Sequence, residues 1–171
     1  MVLKLGGALL LVFATGSTGY LIARNFGDRV ALLMSLQSLL QFLITEIDFA
    51  LTPFPQALKR AGHSLEPSIN SFVHEVLSGM EAGKTLCISW EEGVRTLLKY
   101  TPLEPDDIKP LTMLSPILGL SDRKDQLRHL KIALEHLRLR QNLAEADAVN
   151  NQKLWRYSGV LAGLVVVLLL I

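Results

Sequence analysis

The sequence predicts an all-α protein, in which a cytoplasmic six-helix bundle is flanked by N- and C-terminal transmembrane helices. Hydrophobic residues make up 50% of the 171 residues and charged residues only 19%, and this apolar excess lies mainly at the two ends of the chain. Between the ends, apolar residues recur at helical spacing, and we find no alternating strand pattern. The expected divisions of the chain are 1–26, 27–154 and 155–171.

The first span is expected from Leu5 to Ala23, because these 19 residues carry no charge. As a helix they would cover about 28 Å, close to the roughly 30 Å of a bilayer's hydrocarbon core. A signal peptide is the alternative, since Lys4, an apolar stretch and the small residues ATGST follow one another. Cleavage of this segment stays open.

The second span is expected at the C-terminus, where no charged side chain follows Arg156. The run from Tyr157 to Ile171 would cover only about 22 Å, but Trp155 and its neighbours would anchor it at the membrane interface. A buried core helix is the alternative reading of so short a segment.

The orientation follows from the basic residues near the spans. Arg24, Arg29, Lys153 and Arg156 border the middle segment, whereas Lys4 lies beyond the first span. Cytoplasmic segments carry the excess of lysine and arginine. We therefore expect a multi-pass protein of the cell membrane, with its middle segment in the cytoplasm and both termini on the far side.

The middle segment begins with a helix that Asp28 would cap and that runs to about Leu51. A short second helix would begin at Pro53 after a Thr52 cap and end at Gly62. The first of these helices carries a stripe of apolar residues on one face: Leu33, Leu36, Leu40, Leu43, Ile47 and Ala50.

The third and fourth helices are placed by proline, glycine and capping residues. The third would begin at Pro67 and end at Gly79. The fourth would begin near Thr85, or at a capping box formed by Ser89 and Glu92.

The fifth helix is expected to begin with the acidic turn Glu104–Asp107 and to reach about Leu118, with a bend at Pro110. From Asp122 there is no proline or glycine until Gly159, so the sixth helix should run straight into the C-terminal span. Its apolar residues form a heptad-like seam: Leu127, Leu130, Leu134, Leu137, Ala144 and Ala148.

The segment Ser78–Thr85, SGMEAGKT, resembles the phosphate-binding P-loop GxxxxGK[ST]. Ser78 replaces the first glycine, and helical spacing precedes the motif instead of a strand. Backbone N–H groups would then not converge on a phosphate. A membrane-anchored nucleotide-binding subunit that uses Ser78–Thr85 is kept as the alternative function.

No catalytic residue, cofactor or metal site is expected. The histidines lack carboxylates or cysteines at ligand spacing, and Ser78 stands where the HExxH motif beginning at His74 needs its second histidine. Cys87 lies among apolar residues and is interpreted as a packed thiol. A net charge of +1 gives no reason to expect nucleic-acid binding. Two uncharged spans give one copy no polar pathway, so a transporter would have to be an oligomer.

Two sets of residues are candidate contact sites. The segment from Ser121 to Arg140 is rich in lysine and arginine, which is typical either of a solvated helix face or of a docking face for an acidic partner or lipid headgroups. The docking candidates are Arg123, Lys124, Arg128 and Lys131. Small residues spaced four apart would let the spans pack closely together or against a partner: Thr15, Gly19 and Ala23, then Gly159 and Gly163.

Three stretches carry a resemblance to a known family: LLQFLITEIDFALTPFPQAL (Leu39–Leu58), LSPILGLSDRKDQLRHLKIALEHL (Leu114–Leu137) and the ending GVLAGLVVVLLLI. Together with the chain length and the two spans, they resemble the stage III sporulation protein AB family. The resemblance covers nearly the whole chain.

The resemblance implies a middle domain similar to the cytoplasmic helical domain of the inner-membrane platform protein of type II secretion and type IV pilus systems. It implies a non-enzymatic scaffold in the mother-cell membrane, facing the forespore, in a channel complex needed for forespore development. The implied partners are other subunits of that complex, among them a separate secretion-type ATPase. Membrane lipid is a further expected partner, and a homo-oligomer stays open.

Overall fold

The computed structural model describes residues 2–62, 66–119 and 122–170, and the regular structure in these residues is helical. The prediction of an all-α chain is confirmed. The transmembrane helices, the cytoplasmic bundle and the domain boundaries stay predictions. In chain order the helices of the described residues are α1 (Val2–Asp48), α2 (Phe54–Ala61), α3 (Pro67–Glu81), α4 (Leu86–Tyr100), α5 (Pro105–Thr112) and α6 (Arg123–Leu170).

The chain divides into two compact units. A terminal unit combines Met1–Val30 with Leu143–Ile171, and a central unit consists of Ala31–Asn142. The helices α2 to α5 therefore belong to the central unit alone, whereas α1 and α6 each contribute a segment to both units.

The core of the central unit is built on the predicted stripes of α1 and α6. The predicted apolar stripe on α1 is buried, and its last predicted member, Ala50, lies beyond the helix and is exposed. The heptad-like residues of α6 that belong to this unit are buried as well. The central unit's fully or almost fully buried members of these stripes are Leu33, Leu36, Leu40, Leu43, Ile47, Leu130 and Leu137.

Trp90 of α4 connects several elements of this core. Its Nε1–H donates a hydrogen bond to the carbonyl oxygen of Leu111 at 2.8 Å. The rings of Phe54 and Phe72 contact its indole edge-to-face, with centroids 5.8 Å and 5.0 Å away. Such aromatic pairs add stabilisation beyond the area they bury, so one residue holds α2, α3, α4 and α5 together.

Several predicted helix ends are wrong. Asp28 does not start a helix, because α1 continues through it and its carboxylate pairs with Arg24 at 3.5 Å. Thr52 is not a helix cap: its hydroxyl donates to the Glu46 carboxylate at 3.0 Å, and Pro53 takes the N-cap position of α2. Gly79 does not end α3, which reaches Glu81.

The later elements follow the sequence more closely. The N-cap of α4 is Thr85, whose hydroxyl accepts a hydrogen bond from the Ile88 N–H at 3.3 Å. The acidic start of α5 is present, but the helix ends at Thr112 and is followed by turns up to Gly119. Gly119 has a φ of 85°, a left-handed conformation that glycine adopts without strain.

Candidate functional site

The basic residues proposed for docking lie on the first turns of α6, and they differ in whether they contact α1. The Arg123 guanidinium donates to the backbone carbonyl of Asp48 at 3.1 Å and lies 3.7 Å from its carboxylate. The Lys131 ammonium lies 4.0 Å from the same carboxylate. Both cations therefore lie beside the end of α1, within the central unit, Arg123 through a hydrogen bond and Lys131 at the limit of an ion pair.

The other two candidates leave more charge at the surface. Arg128 makes an exposed ion pair with Asp125 at 3.0 Å on its own helix, an arrangement of small energetic value. Lys124 is exposed one turn earlier. A docking role for this face stays a prediction, and Lys124 and Arg128 are the residues that could serve it without giving up a contact with Asp48.

The segment Ser78–Thr85 forms the last turn of α3, a loop and the N-cap of α4. In the part of the chain that the structure describes, a helix precedes this segment, whereas a P-loop follows a strand. The Lys84 ammonium pairs with Glu92 at 2.6 Å. The geometry therefore does not favour the nucleotide-binding alternative.

Among the described residues, His74 lies apart from His129 and His136, and His63 lies outside these residues. His74 Nδ1 is 3.3 Å from the Ser78 hydroxyl on the surface of α3. His129 and His136 line one small cavity of about 100 Å³. The remaining lining residues of that cavity are Pro110, Met113, Leu114, Ile117, Ile132 and Ala133. Across the described residues, no group of three or more potential ligand side chains comes together to hold a metal ion.

Cys87 is only half-buried, so the interpretation as a core thiol is too strong. Its Sγ lies 3.1 Å from the hydroxyl of Ser115, which donates to Glu91 Oε1 at 2.8 Å. These contacts connect α4 with the turns that follow α5.

The small residues proposed for packing of the spans lie in the terminal unit. Gly19, Ala23 and Gly163 are buried, and Thr15 is half-buried. Gly159 lies in α6, but its surroundings are outside the described residues. Packing of two membrane helices through these positions stays a prediction.

A buried arginine joins the two helical segments of the terminal unit. Arg29 is only 4% exposed, and its Nη1 lies 3.5 Å from the carboxylate of Asp147. Nearby, a Cβ built on Gly27 would lie 3.9 Å from the amide nitrogen of Gln152. Since residue numbers rise along α1 as they fall along α6, the two segments run antiparallel.

One helix of the described residues meets the length and composition of a membrane span. The segment Phe13–Asp48 contains an 18-residue window with a mean hydropathy of 1.6, of which 44% is buried. The expected second span, 155–171, contains several side chains outside the described residues. The result for α1 is consistent with membrane association.

Two features were missed from the sequence. The first is an ion pair of the central unit, 2.9 Å long, between the buried carboxylate of Asp107 and the guanidinium of Arg140. Next to it, the Lys109 ammonium lowers the pKa of the exposed Asp106, mainly through a hydrogen bond and then through its charge.

The second missed feature is an open groove of about 440 Å³. The sequence signal for it is the absence of charged residues between Arg29 and Glu46. The groove is lined by Met34, Gln37, Ser38, Gln41, Leu134, Arg138 and Gln141.

Comparison with known proteins places the chain in a family. Residues 4–171 match the family described as Stage III sporulation protein AB. A relative from Bacillus subtilis (strain 168), the stage III sporulation protein AB, is 31% identical over 98% of this chain and 99% of its own length. A solved structure of stage III sporulation protein AB (SpoIIIAB) has a TM-score of 0.64, with 24% identity, over 71% of this chain and 96% of the solved one; it shows a common fold. The chain therefore belongs to the stage III sporulation protein AB family.

Proposed function

We propose that this protein is a non-enzymatic platform subunit of a secretion-like sporulation channel complex between the mother cell and the forespore. The observation that carries the proposal is the family match over residues 4–171, together with a relative similar along its whole length. Membership of a stage III sporulation family supports a role in sporulation. The platform role extends that role to assembly and positioning of partner subunits.

The helical architecture supports a scaffold. The helix α1 is unbroken from Val2 to Asp48, so the candidate span and the core stripe of the central unit lie on one helix. Helix α6 is equally continuous from Arg123 to Leu170. Two long helices that join an apolar segment to a packed helical unit suit a subunit that holds partners at a membrane.

In this proposal the protein is a multi-pass protein of the mother-cell membrane with its central unit in the cytoplasm. The positive-inside rule supports that orientation through Arg24, Arg29 and Lys153. Its partners would be other subunits of the channel complex, including a secretion-type ATPase, as well as membrane lipid. Energy for the complex would come from the ATPase, since Lys84 pairs with Glu92 in a helical context.

The docking face supplies the first experiment. Lys124→Glu combined with Arg128→Glu reverses two exposed charges and leaves the contacts of Arg123 and Lys131 with Asp48 in place. The full chain carrying both changes should lose capture of the ATPase from detergent extracts, with an unchanged helical CD spectrum. Capture at the wild-type level would show that this face is a solvated surface and does not bind the ATPase.

The matched control reverses two exposed charges elsewhere in the central unit. Lys59→Glu on α2 together with Arg95→Glu on α4 makes the same change in net charge and should leave capture intact.

The second experiment separates the scaffold from the nucleotide-binding alternative. In the organism that carries this chain, deletion of the protein should abolish heat-resistant spores, and Lys84→Ala should restore them to the wild-type count. If Lys84→Ala fails to restore spores although the protein accumulates normally, the alternative gains support.

A further inference from the structure

The exposed side of α1 in the central unit carries a regular line of uncharged residues opposite the core stripe. Five exposed residues follow one another at alternating steps of three and four, as in a heptad repeat: Ala31, Met34, Ser38, Gln41 and Thr45. We call this line the α1 outer seam. An exposed helix face normally carries charges, yet no charged residue lies between Arg29 and Glu46.

The α1 outer seam is less polar than its sequence indicates. The hydroxyl of Ser38 donates to the carbonyl oxygen of Met34 at 3.1 Å, and that of Thr45 donates to the carbonyl oxygen of Gln41 at 2.9 Å. Both hydroxyl protons are therefore already bound within the helix. A neighbouring surface would therefore contact small side chains, the thioether of Met34 and the amide of Gln41.

The groove beside the seam also lacks a net excess of charge of either sign. Two of its lining residues are bonded to each other, since the amide of Gln37 on α1 donates to the amide oxygen of Gln141 on α6 at 2.6 Å. The charged residue among its lining residues, Arg138, is paired with Glu135 of the same helix at 2.6 Å. The groove therefore presents neither a basic nor an acidic surface that would select a charged partner.

We propose that the occupant of this face is a second copy of this chain, packed parallel to the first along the α1 outer seam. The proposal rests on the proposed membrane location, because two copies anchored by α1 in one membrane would lie parallel and at the same height. Each seam residue then meets its own counterpart, so any charge would meet a like charge. An uncharged seam is what such a parallel pair requires.

The residues of the seam also suit self-association. A glutamine amide both donates and accepts hydrogen bonds, so Gln41 can pair with Gln41 of another copy. Ala31 and Ser38 are small enough to let two helices approach closely. The seam extends over about 21 Å, a short contact, which fits copies already concentrated in a membrane.

Disulfide cross-linking tests the seam directly. The full chain with Cys87→Ser and Ser38→Cys would be reconstituted in vesicles of phosphatidylethanolamine and phosphatidylglycerol and oxidised with copper phenanthroline. A parallel pair brings the two thiols within disulfide reach, with Cβ atoms roughly 4 Å apart, so most of the protein should become a covalent dimer. The control Cys87→Ser with Glu75→Cys has an exposed thiol on α3 and should cross-link at most at a background level.

A charge placed in the seam gives a second, independent readout. With donor and acceptor dyes on separate copies through Glu75→Cys in the Cys87→Ser background, Ser38→Glu should abolish energy transfer between copies in the same vesicles, whereas Ser38→Ala should retain it. Both variants should keep the wild-type CD spectrum, which separates loss of the seam from loss of folding.

The outcomes that overturn the seam are distinct from those that overturn the proposed function. Cross-linking of Ser38→Cys no greater than that of Glu75→Cys, or no energy transfer between copies with an unchanged seam in the vesicles, overturns the seam. Release of the protein from the vesicles by alkaline carbonate instead contradicts the membrane location on which the proposed function rests.

Discussion

The guanidinium of Arg140 on α6 holds the fully buried carboxylate of Asp107 on α5, with 2.9 Å between Arg140 Nε and Asp107 Oδ1. The other oxygen of that carboxylate accepts the Glu104 N–H at 2.9 Å, which completes a capping box at the start of α5. One side chain thus both begins a helix of eight residues and ties it to α6.

Loss of Arg140 should therefore destabilise the central unit strongly. Arg140→Met leaves the Asp107 carboxylate buried without its cationic partner, a change expected to cost about 3 kcal/mol. The measurement is the free energy of unfolding of the full chain in urea and mild detergent, followed by the fluorescence of Trp90 in a Trp155→Phe background. The double variant Asp107→Asn with Arg140→Met should lose less than the sum of the two single variants.

Arg138→Met is the control for that prediction. Arg138 pairs with Glu135 on the surface of the same helix, and its side chain is 53% exposed. Its removal should change stability by less than about 1 kcal/mol. An Arg140→Met variant as stable as Arg138→Met would contradict the structural importance of the buried pair.

The helical class was predictable because burial in this fold follows helical periodicity. The stripes that include Leu36 and Leu130 are buried as their spacing indicates. One helix end was misplaced because a contact on another helix replaces the local signal. Gly79 reads as a helix end, yet α3 passes through it because the missing side chain makes room for Ser89 of α4.

The candidate site was less predictable for a related reason. Periodicity places Arg123 and Lys131 on one face of α6, but it cannot show that the carboxylate of Asp48, at the end of another helix, lies 3.7 Å and 4.0 Å from them. The same limit applies to Asp107, which the sequence assigns to an acidic first turn. Its partner Arg140 lies 33 residues away, on another helix.

Two buried serines should respond to alanine in opposite directions. The Ser89 hydroxyl is buried against Gly79 and has no hydrogen-bond partner within the described residues, so Ser89→Ala should stabilise the fold by about 1 kcal/mol. The equally buried Ser115 hydroxyl donates to Glu91 at 2.8 Å, so Ser115→Ala should destabilise it by about 1 kcal/mol. Urea unfolding of both variants decides, and a destabilising Ser89→Ala would mean that its hydroxyl has a partner.

Gly93 of α4 allows α3 to approach closely. A Cβ at this position would lie 2.8 Å from Val76 Cγ2 and 3.1 Å from the Phe72 ring, so Gly93→Ala should destabilise the fold by about 1 to 3 kcal/mol through overpacking. Gly27→Ala is the control, because its Cβ would meet only Gln152 at 3.9 Å. That variant should gain up to about 1 kcal/mol in helix propensity. If thermal melts show the same stability change for Gly93→Ala and Gly27→Ala, the close packing at Gly93 does not limit the size of its side chain.

Leu51, just after α1, is held in a conformation that its side chain disfavours. Its φ is 54° and its side chain is 64% exposed, so strain there is not offset by burial. The left-handed region costs a residue with a Cβ about 1 to 2 kcal/mol, and asparagine tolerates it better than leucine does. Leu51→Asn should therefore raise the free energy of unfolding by about 0.5 to 1 kcal/mol, whereas Leu51→Ala keeps the strain and should give no such gain. A stability gain from Leu51→Ala that equals the gain from Leu51→Asn would attribute the effect to removal of an exposed apolar side chain instead of backbone strain.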